Sequence, residues 1–161
     1  MKQIIFAGGC FWGVEAYFKQ LDGVIDTQVG YVGDDTFVTY EDVCAGSGHA
    51  EAVWIEYNEN LISLKQLLDH LFNIIDPTSI NRQGPDSGIQ YRTGIYNFAK
   101  EEEPFIRAYL SQRQTEYTNP LALEVKANLT FHLAEEYHQD YLDKNKDGYC
   151  HVDLSSYKNV K

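Results

Sequence analysis

The chain has 161 residues, 43% of them hydrophobic, with 13 basic against 24 acidic side chains and a formal charge of −11. That length and apolar content supply one core of useful size, and the scattered basic residues form no positive patch for nucleic acid or an anionic membrane. Three cysteines, an odd number in a chain this long, do not make the disulfide framework of a small secreted domain and point to a reducing cytoplasm.

Lys2–Gly8 reads as a buried strand, and Cys10–Leu21 reads as a helix entered through Gly8-Gly9. A lipoprotein signal is imitated by Lys2, the apolar run and Ala7-Gly8-Gly9-Cys10, but the run is shorter than the ~7–15 apolar residues such a signal needs. No other apolar run approaches the ~18 residues that cross a membrane. Val24–Val32 follows as a strand. Gly33–His49 is rich in Gly, Asp, Ser and Thr and reads as a long functional loop before a strand at Ala50–Tyr57. Ser63 caps a helix over Leu64–Ile74, with Leu64, Leu67, Leu68, Leu71 and Phe72 on one face.

A second irregular loop spans Asp76–Gly88 and contains Pro77, Gly84, Pro85 and Gly88. Tyr91–Phe98 is the next expected strand, Lys100–Tyr117 a helix with Glu101, Glu102 and Glu103 in its first turn, Leu121–Ala127 a strand and Ala134–Leu142 a helix. There is no internal repeat. The alternation predicts an α+β two-layer sandwich with a mixed sheet, a ferredoxin-like core and an irregular C-terminal segment, residues 1–161 forming one catalytic domain and 145–161 a mobile end.

Cys10 is the sharpest chemical signal. A helix N-terminus presents unpaired N–H groups and the positive end of the dipole, which favour a thiolate and predict a lowered pKa. The plainer alternative is a cysteine buried as a small hydrophobe. Glu51 stands where a polar loop enters the strand Ala52-Val53-Trp54-Ile55; desolvation there would keep its carboxyl protonated as a general acid requires, although spacing alone favours a solvated strand-end glutamate. Asp86 and Tyr91 lie in a polar stretch able to orient hydrogen bonds, while Arg82 and Arg92 suit pairing with carboxylates.

Other constellations are weaker. Asp143-Lys144-Asn145-Lys146-Asp147-Gly148 begins like a calcium loop, but Leu154 stands where a bidentate glutamate belongs. His132 and His138, in a stretch read as helical, lack the i, i+4 spacing of a shared metal, and no Cys-x-x-Cys occurs. A cysteine hydrolase with His49 as base is the rival enzyme, though acyl chemistry gives Cys150 no task, and a calcium-binding module built on Asp143–Gly148 is the rival without catalysis.

Gly9-Cys10-Phe11-Trp12-Gly13, Gly48-His49-Ala50-Glu51, Gln90-Tyr91-Arg92, Glu136-Tyr137-His138-Gln139 and Gly148-Tyr149-Cys150, in that order, closely resemble the A-type peptide methionine sulfoxide reductases nearly end to end. The resemblance implies repair of oxidised proteins by reduction of methionine S-sulfoxide, free or in proteins. Cys10 would be the nucleophile, Glu51 the acid, and Tyr40 and Tyr91 the groups that hydrogen-bond the sulfoxide oxygen. Asp86 would order the substrate, and Phe11 and Trp12 would hold its methyl group. Cys150 would resolve the Cys10 sulfenic acid into a Cys10–Cys150 disulfide, which thioredoxin or another external dithiol would reduce, with no cofactor and no metal. Cys44 then remains as a structural or incidental thiol.

Overall fold

A computed structural model describes residues 1–160. The first strand, β1 (Lys2–Gly8), leads through Gly9 to α1 (Phe11–Lys19), and β2 (Val24–Gly33) returns beside it. After α2 (Tyr40–Cys44) come β3 (Ala50–Tyr57), α3 (Leu64–Ile74), the two-residue strands β4 (Arg82–Gln83) and β5 (Asp86–Ser87), and β6 (Thr93–Tyr96). The chain closes with α4 (Glu103–Gln114), β7 (Glu124–Lys126), β8 (Thr130–Leu133) and α5 (Tyr141–Lys144).

Six strands form one mixed sheet in the order β7-β6-β1-β3-β2-β8, with only β6 and β7 parallel. Its inner four, β6-β1-β3-β2, together with α1 and α3, make the split β-α-β arrangement expected of a ferredoxin-like core. Successive residues of a strand face opposite sides, so Ile4 and Phe6 join one buried cluster and Ile5 and Ala7 another. The first side packs against Val14 and Phe18 of α1 and Leu67, Leu68 and Leu71 of α3. Each such side chain, fully buried, is worth roughly 1.5–3 kcal/mol. The second side carries Ala50 and Ala52 with Trp54, Leu129 and Phe131. The helix α3 starts in a capping box: Ser63 Oγ accepts from Gln66 N at 3.1 Å and Gln66 Oε1 from Ser63 N at 2.9 Å.

Several expected elements are redrawn. The loop Gly33–His49 contains α2, whose Thr39 and Asp42 form a second capping box. Asp76–Gly88 contains the small β4–β5 hairpin. Strand β6 is shorter than Tyr91–Phe98 because residues Ile89–Tyr91 turn as a 3-10 helix, and β7 is shorter than Leu121–Ala127. The helix foreseen over Lys100–Tyr117 is a 3-10 turn followed by α4, which has Pro104 in its first turn. The helix foreseen over Ala134–Leu142 does not form. Residues Glu136–His138 make one 3-10 turn, Asp140 takes a left-handed conformation at φ 53°, and α5 starts only after it. His132 accordingly lies on β8, a strand the sequence pattern did not reveal, and not on a helix. Lys161 lies outside the described residues of the C-terminal segment 145–161.

Candidate active site

The site is built where β1 hands the chain to α1. Gly9 turns the backbone at φ +92°, and a Cβ there would meet Gln83 Cβ at 2.8 Å and His151 Nε2 at 3.0 Å, so the turn needs glycine for both conformation and space. Cys10 follows as the N-cap of α1 and is 7% exposed. The Trp12 amide faces its sulfur and favours the thiolate, but burial dominates, and with the negative charges of Glu51 and Asp86 it pushes the thiol up to about 12. This corrects the expectation of a lowered pKa. A helix end stabilises a thiolate only while water or positive charge helps to solvate it, and here the neighbouring groups are acids.

Glu51 is the second residue of β3, opposite Tyr31 of β2, and is 1% exposed. Its Oε1 accepts the Phe11 N–H at 3.2 Å, while Oε2 is buried without a partner. Burial pushes the carboxyl up to about 8, against the lowering effect of the Phe11 amide. Glu51 therefore stands as a neutral acid at neutral pH, with one oxygen free, beside a neutral thiol. Of its two sequence readings, the buried one holds.

Tyr91 and Asp86 come from the irregular segment before β6. Burial raises the Tyr91 phenol, and the negative charges of Glu51, Asp86 and Cys10 add to it. Tyr40, at the start of α2, is drawn in by Glu135: its amide donates to Oε2 at 2.9 Å while Tyr31 Oη donates to Oε1 at 2.7 Å. The Tyr40 ring sits 4.5 Å from that of His138, and its hydroxyl lies beside the Cys44 sulfur and near Glu51. Phe11 is almost fully buried under Tyr31 and His138, ring centroids 5.7 and 5.2 Å away, and forms floor more than wall. Trp12 is half-exposed. Its indole stacks on Tyr141 at 3.8 Å and 7°, and its Nε1 donates to His138 Nδ1 at 2.9 Å.

The C-terminal segment covers the site from the other side. Tyr149 Oη donates to Asp86 Oδ2 at 2.7 Å, and Cys150 lies half-buried with its thiol directed to Val152 O at 3.1 Å. A Cβ on Gly13 would stand 3.1 Å from Cys150 Sγ, so the absent side chain is what seats the second thiol on α1, one turn from Cys10. All three cysteines are free. Arg92 ties its loop down as foreseen, on Glu124 at 2.7 Å, but Arg82 bonds the Gly84 carbonyl and, among the described residues, pairs with no carboxylate. His49 is engaged elsewhere, against Ser47 Oγ at 3.1 Å, Asp34 Oδ1 at 3.4 Å and the His132 ring, which leaves the hydrolase reading without its base. Among the described residues no cluster of three or more metal-ligating side chains occurs, and no helix is long and apolar enough to cross a membrane.

A model of the family described as peptide methionine sulfoxide reductase matches the chain over residues 2–161. The chain belongs to the peptide methionine sulfoxide reductase family. Among its relatives, the peptide methionine sulfoxide reductase MsrA of Clostridium tetani is 52% identical over 97% of this chain and 96% of its own, and that of Clostridium acetobutylicum 53% identical over 94% and 95%. The crystal structure of Mxr1 from Saccharomyces cerevisiae in reduced form superposes with a TM-score of 0.87 at 38% identity, covering 95% of this chain and 91% of that one. Mxr1 in complex with Trx2 aligns at 0.58 and 26% identity, over 83% and 90%. The contacts that sequence reasoning missed in this reductase are Glu135 behind Tyr40, His138 and Tyr141 around Trp12, and Tyr149 on Asp86. Of these, only His138 and Tyr149 stood within motifs that could have signalled them.

Proposed function

We propose that the protein reduces methionine S-sulfoxide, free or within oxidised proteins, to methionine, and that thioredoxin or a small dithiol closes the cycle. The observation that carries the reading is the unpartnered Oε2 of a buried, neutral Glu51 beside the buried Cys10 thiol. Cys10 Sγ attacks the sulfoxide sulfur. Its proton passes to the Glu51 carboxyl as Glu51 gives its own to the sulfoxide oxygen, so the acid ends the step neutral, as it began. The hydroxyl then passes from the substrate sulfur to Cys10 Sγ: the substrate S–O bond and the transient S–S bond break, an S–O bond forms on Cys10, and methionine leaves with its sulfur lone pair restored, the sulfenic acid remaining on Cys10. Tyr40 and Tyr91 donate to the sulfoxide oxygen, Asp86 orders the substrate, and Phe11 and Trp12 supply the aromatic surface for its methyl group.

Cys150 then condenses with the sulfenic acid, releasing water and leaving the Cys10–Cys150 disulfide for thioredoxin. The reading treats residues 1–161 as one catalytic domain whose segment 145–161 moves enough to join the two sulfurs. It needs no bound cofactor or metal, and three free thiols suit a cytoplasmic setting. The deciding experiment is a single-turnover assay on resolved sulfoxide epimers with no reductant present. The S epimer should yield about one methionine per chain and the R epimer none. Equal yields, or none from either, would overturn the reading.

A further inference from the structure

The residue after the second thiol is a histidine that the reduction step does not use. His151 Nε2 lies 3.0 Å from the Gly8 carbonyl oxygen, which can only accept, so Nε2 carries the hydrogen and Nδ1 keeps its lone pair. That Nδ1 is buried and has no partner. The position a Cβ would take on Gly13 is 3.3 Å from His151 Nδ1 and 3.1 Å from Cys150 Sγ, so the free lone pair and the thiol flank the same gap over α1. The Cys150 hydrogen meanwhile rests on the Val152 carbonyl, which holds a proton but cannot remove it.

On this geometry we propose that His151 is the general base of the resolving step, taking the Cys150 proton on Nδ1 while its Nε2–H keeps the ring fixed to Gly8. The proposal rests on the reductase reading above. Cys150 rotates off Val152 O, its proton passes to Nδ1, and its sulfur attacks the sulfur of the Cys10 sulfenic acid. The S–S bond forms as the S–O bond breaks. The leaving hydroxide takes the proton back from the imidazolium and departs as water. The sulfenic sulfur is reduced and the Cys150 sulfur oxidised, with no outside reagent.

The surroundings suit a neutral imidazole. Burial lowers the His151 pKa from its ordinary 6.5 and outweighs the upward pull of the Gly8 carbonyl bond and of Asp86 on β5. The other titratable groups of the site are Cys10 at the N-cap of α1, Tyr40 on α2, Glu51 on β3, Tyr91 before β6, and Tyr149 and Cys150 on its own segment. Burial raises the Cys150 thiol, so unaided ionisation at neutral pH is slow and a base matters.

The test compares wild type, His151→Gln and His151→Ala. Glutamine can place an amide nitrogen near the position of Nε2 and keep the Gly8 bond, but it has no basic atom. Formation of the Cys10–Cys150 disulfide is followed by rapid quench and peptide mass spectrometry after mixing with methionine S-sulfoxide, between about pH 5 and pH 9. Rates are referred to the fraction of chains that release a first methionine, and dimedone traps waiting sulfenic acid. The wild-type rate should be level above the histidine range and fall below it. His151→Gln should close the disulfide about 10²-fold more slowly near neutrality, accumulate sulfenic acid, and gain rate as pH rises. A wild-type rate in His151→Gln, or one slowed by the same factor at every pH, overturns the proposal. Should neither variant release a first methionine, the wild-type profile decides: a rate that keeps climbing through the thiol range excludes the base. If wild type forms no sulfenic acid at Cys10, it is the reductase reading that fails.

Discussion

The Phe11 amide donates to Glu51 Oε1 at 3.2 Å across 40 residues of sequence, so the helix end that carries Cys10 also holds Glu51. The proposed proton donor and the proposed attacking sulfur are thereby fixed to one frame. Replacing Glu51 by Gln keeps an oxygen for Phe11 and removes the proton donor. Single-turnover reduction by Glu51→Gln should be slower by roughly 10²-fold or more; a near-normal rate would remove Glu51 from the chemistry.

The same substitution should raise stability. The carboxyl holds its proton up to about pH 8 when folded, against an ordinary value of 4.5. Between those values the folded chain binds a proton that the unfolded chain releases, so wild type loses stability as pH rises through that window. Glutamine does not titrate. Denaturant midpoints of Glu51→Gln and wild type should therefore diverge from about pH 4.5 and stay level above about pH 8, by a few kcal/mol in order of magnitude. A constant gap across the range would contradict the buried neutral acid.

Cys10→Ser should abolish reduction of either epimer. A hydroxyl is a poor nucleophile toward sulfoxide sulfur and has no accessible anion here. Residual wild-type turnover would place the nucleophile elsewhere.

With Cys150→Ser, about one methionine per chain should appear before turnover stalls on thioredoxin, and dithiothreitol should restart it by reaching Cys10 directly. Cys44→Ser should leave thioredoxin-supported turnover largely unchanged. A Cys10–Cys44 linkage in oxidised wild type, with Cys150 free, would overturn the assignment of Cys150 and leave the nucleophile in place.

Gly13→Ala should impair resolution selectively. Alanine favours the helix over glycine by up to about 1 kcal/mol, yet its Cβ would stand 3.1 Å from Cys150 Sγ and 3.3 Å from His151 Nδ1, tight enough to shift the segment. Disulfide formation should slow several-fold relative to release of the first methionine. Equal slowing of both steps would mean that the helix itself had moved.

Much of the frame was legible from local pattern. Lys2–Gly8, Ala50–Tyr57 and Leu64–Ile74 match their expected bounds because each is a dense apolar run with a definite stop or a cap such as Ser63. Strand β8 was not legible. Its residues are half-buried or exposed, and its place on β2 depends on Gly30, where any Cβ would collide with Phe131 and the His132 carbonyl, a complementarity visible only once residues a hundred positions apart are adjacent. The Cys10 pKa failed for the same reason. The helix end is written next to the cysteine, whereas the burial and the acidic neighbours that outweigh it come from β3, β5 and the C-terminal segment. The candidate residues themselves were read from the motifs, while the groups that hold them, Glu135, His138 and Tyr141, act through contacts that no spacing encodes.

The two sulfurs lie near opposite ends of the chain, Cys10 just after the first strand and Cys150 in the last segment. During synthesis the nucleophile therefore leaves the ribosome long before its protector exists. A nascent or truncated chain carries a thiol open to the solvent, without the burial that keeps it protonated and without a neighbour to trap its oxidised form. Any sulfenic acid formed there could only capture a foreign thiol or proceed to sulfinic acid. On the proposed reading, the oxidation cycle would become closed and reversible only once the segment that carries Cys150 has packed onto α1 beside Gly13.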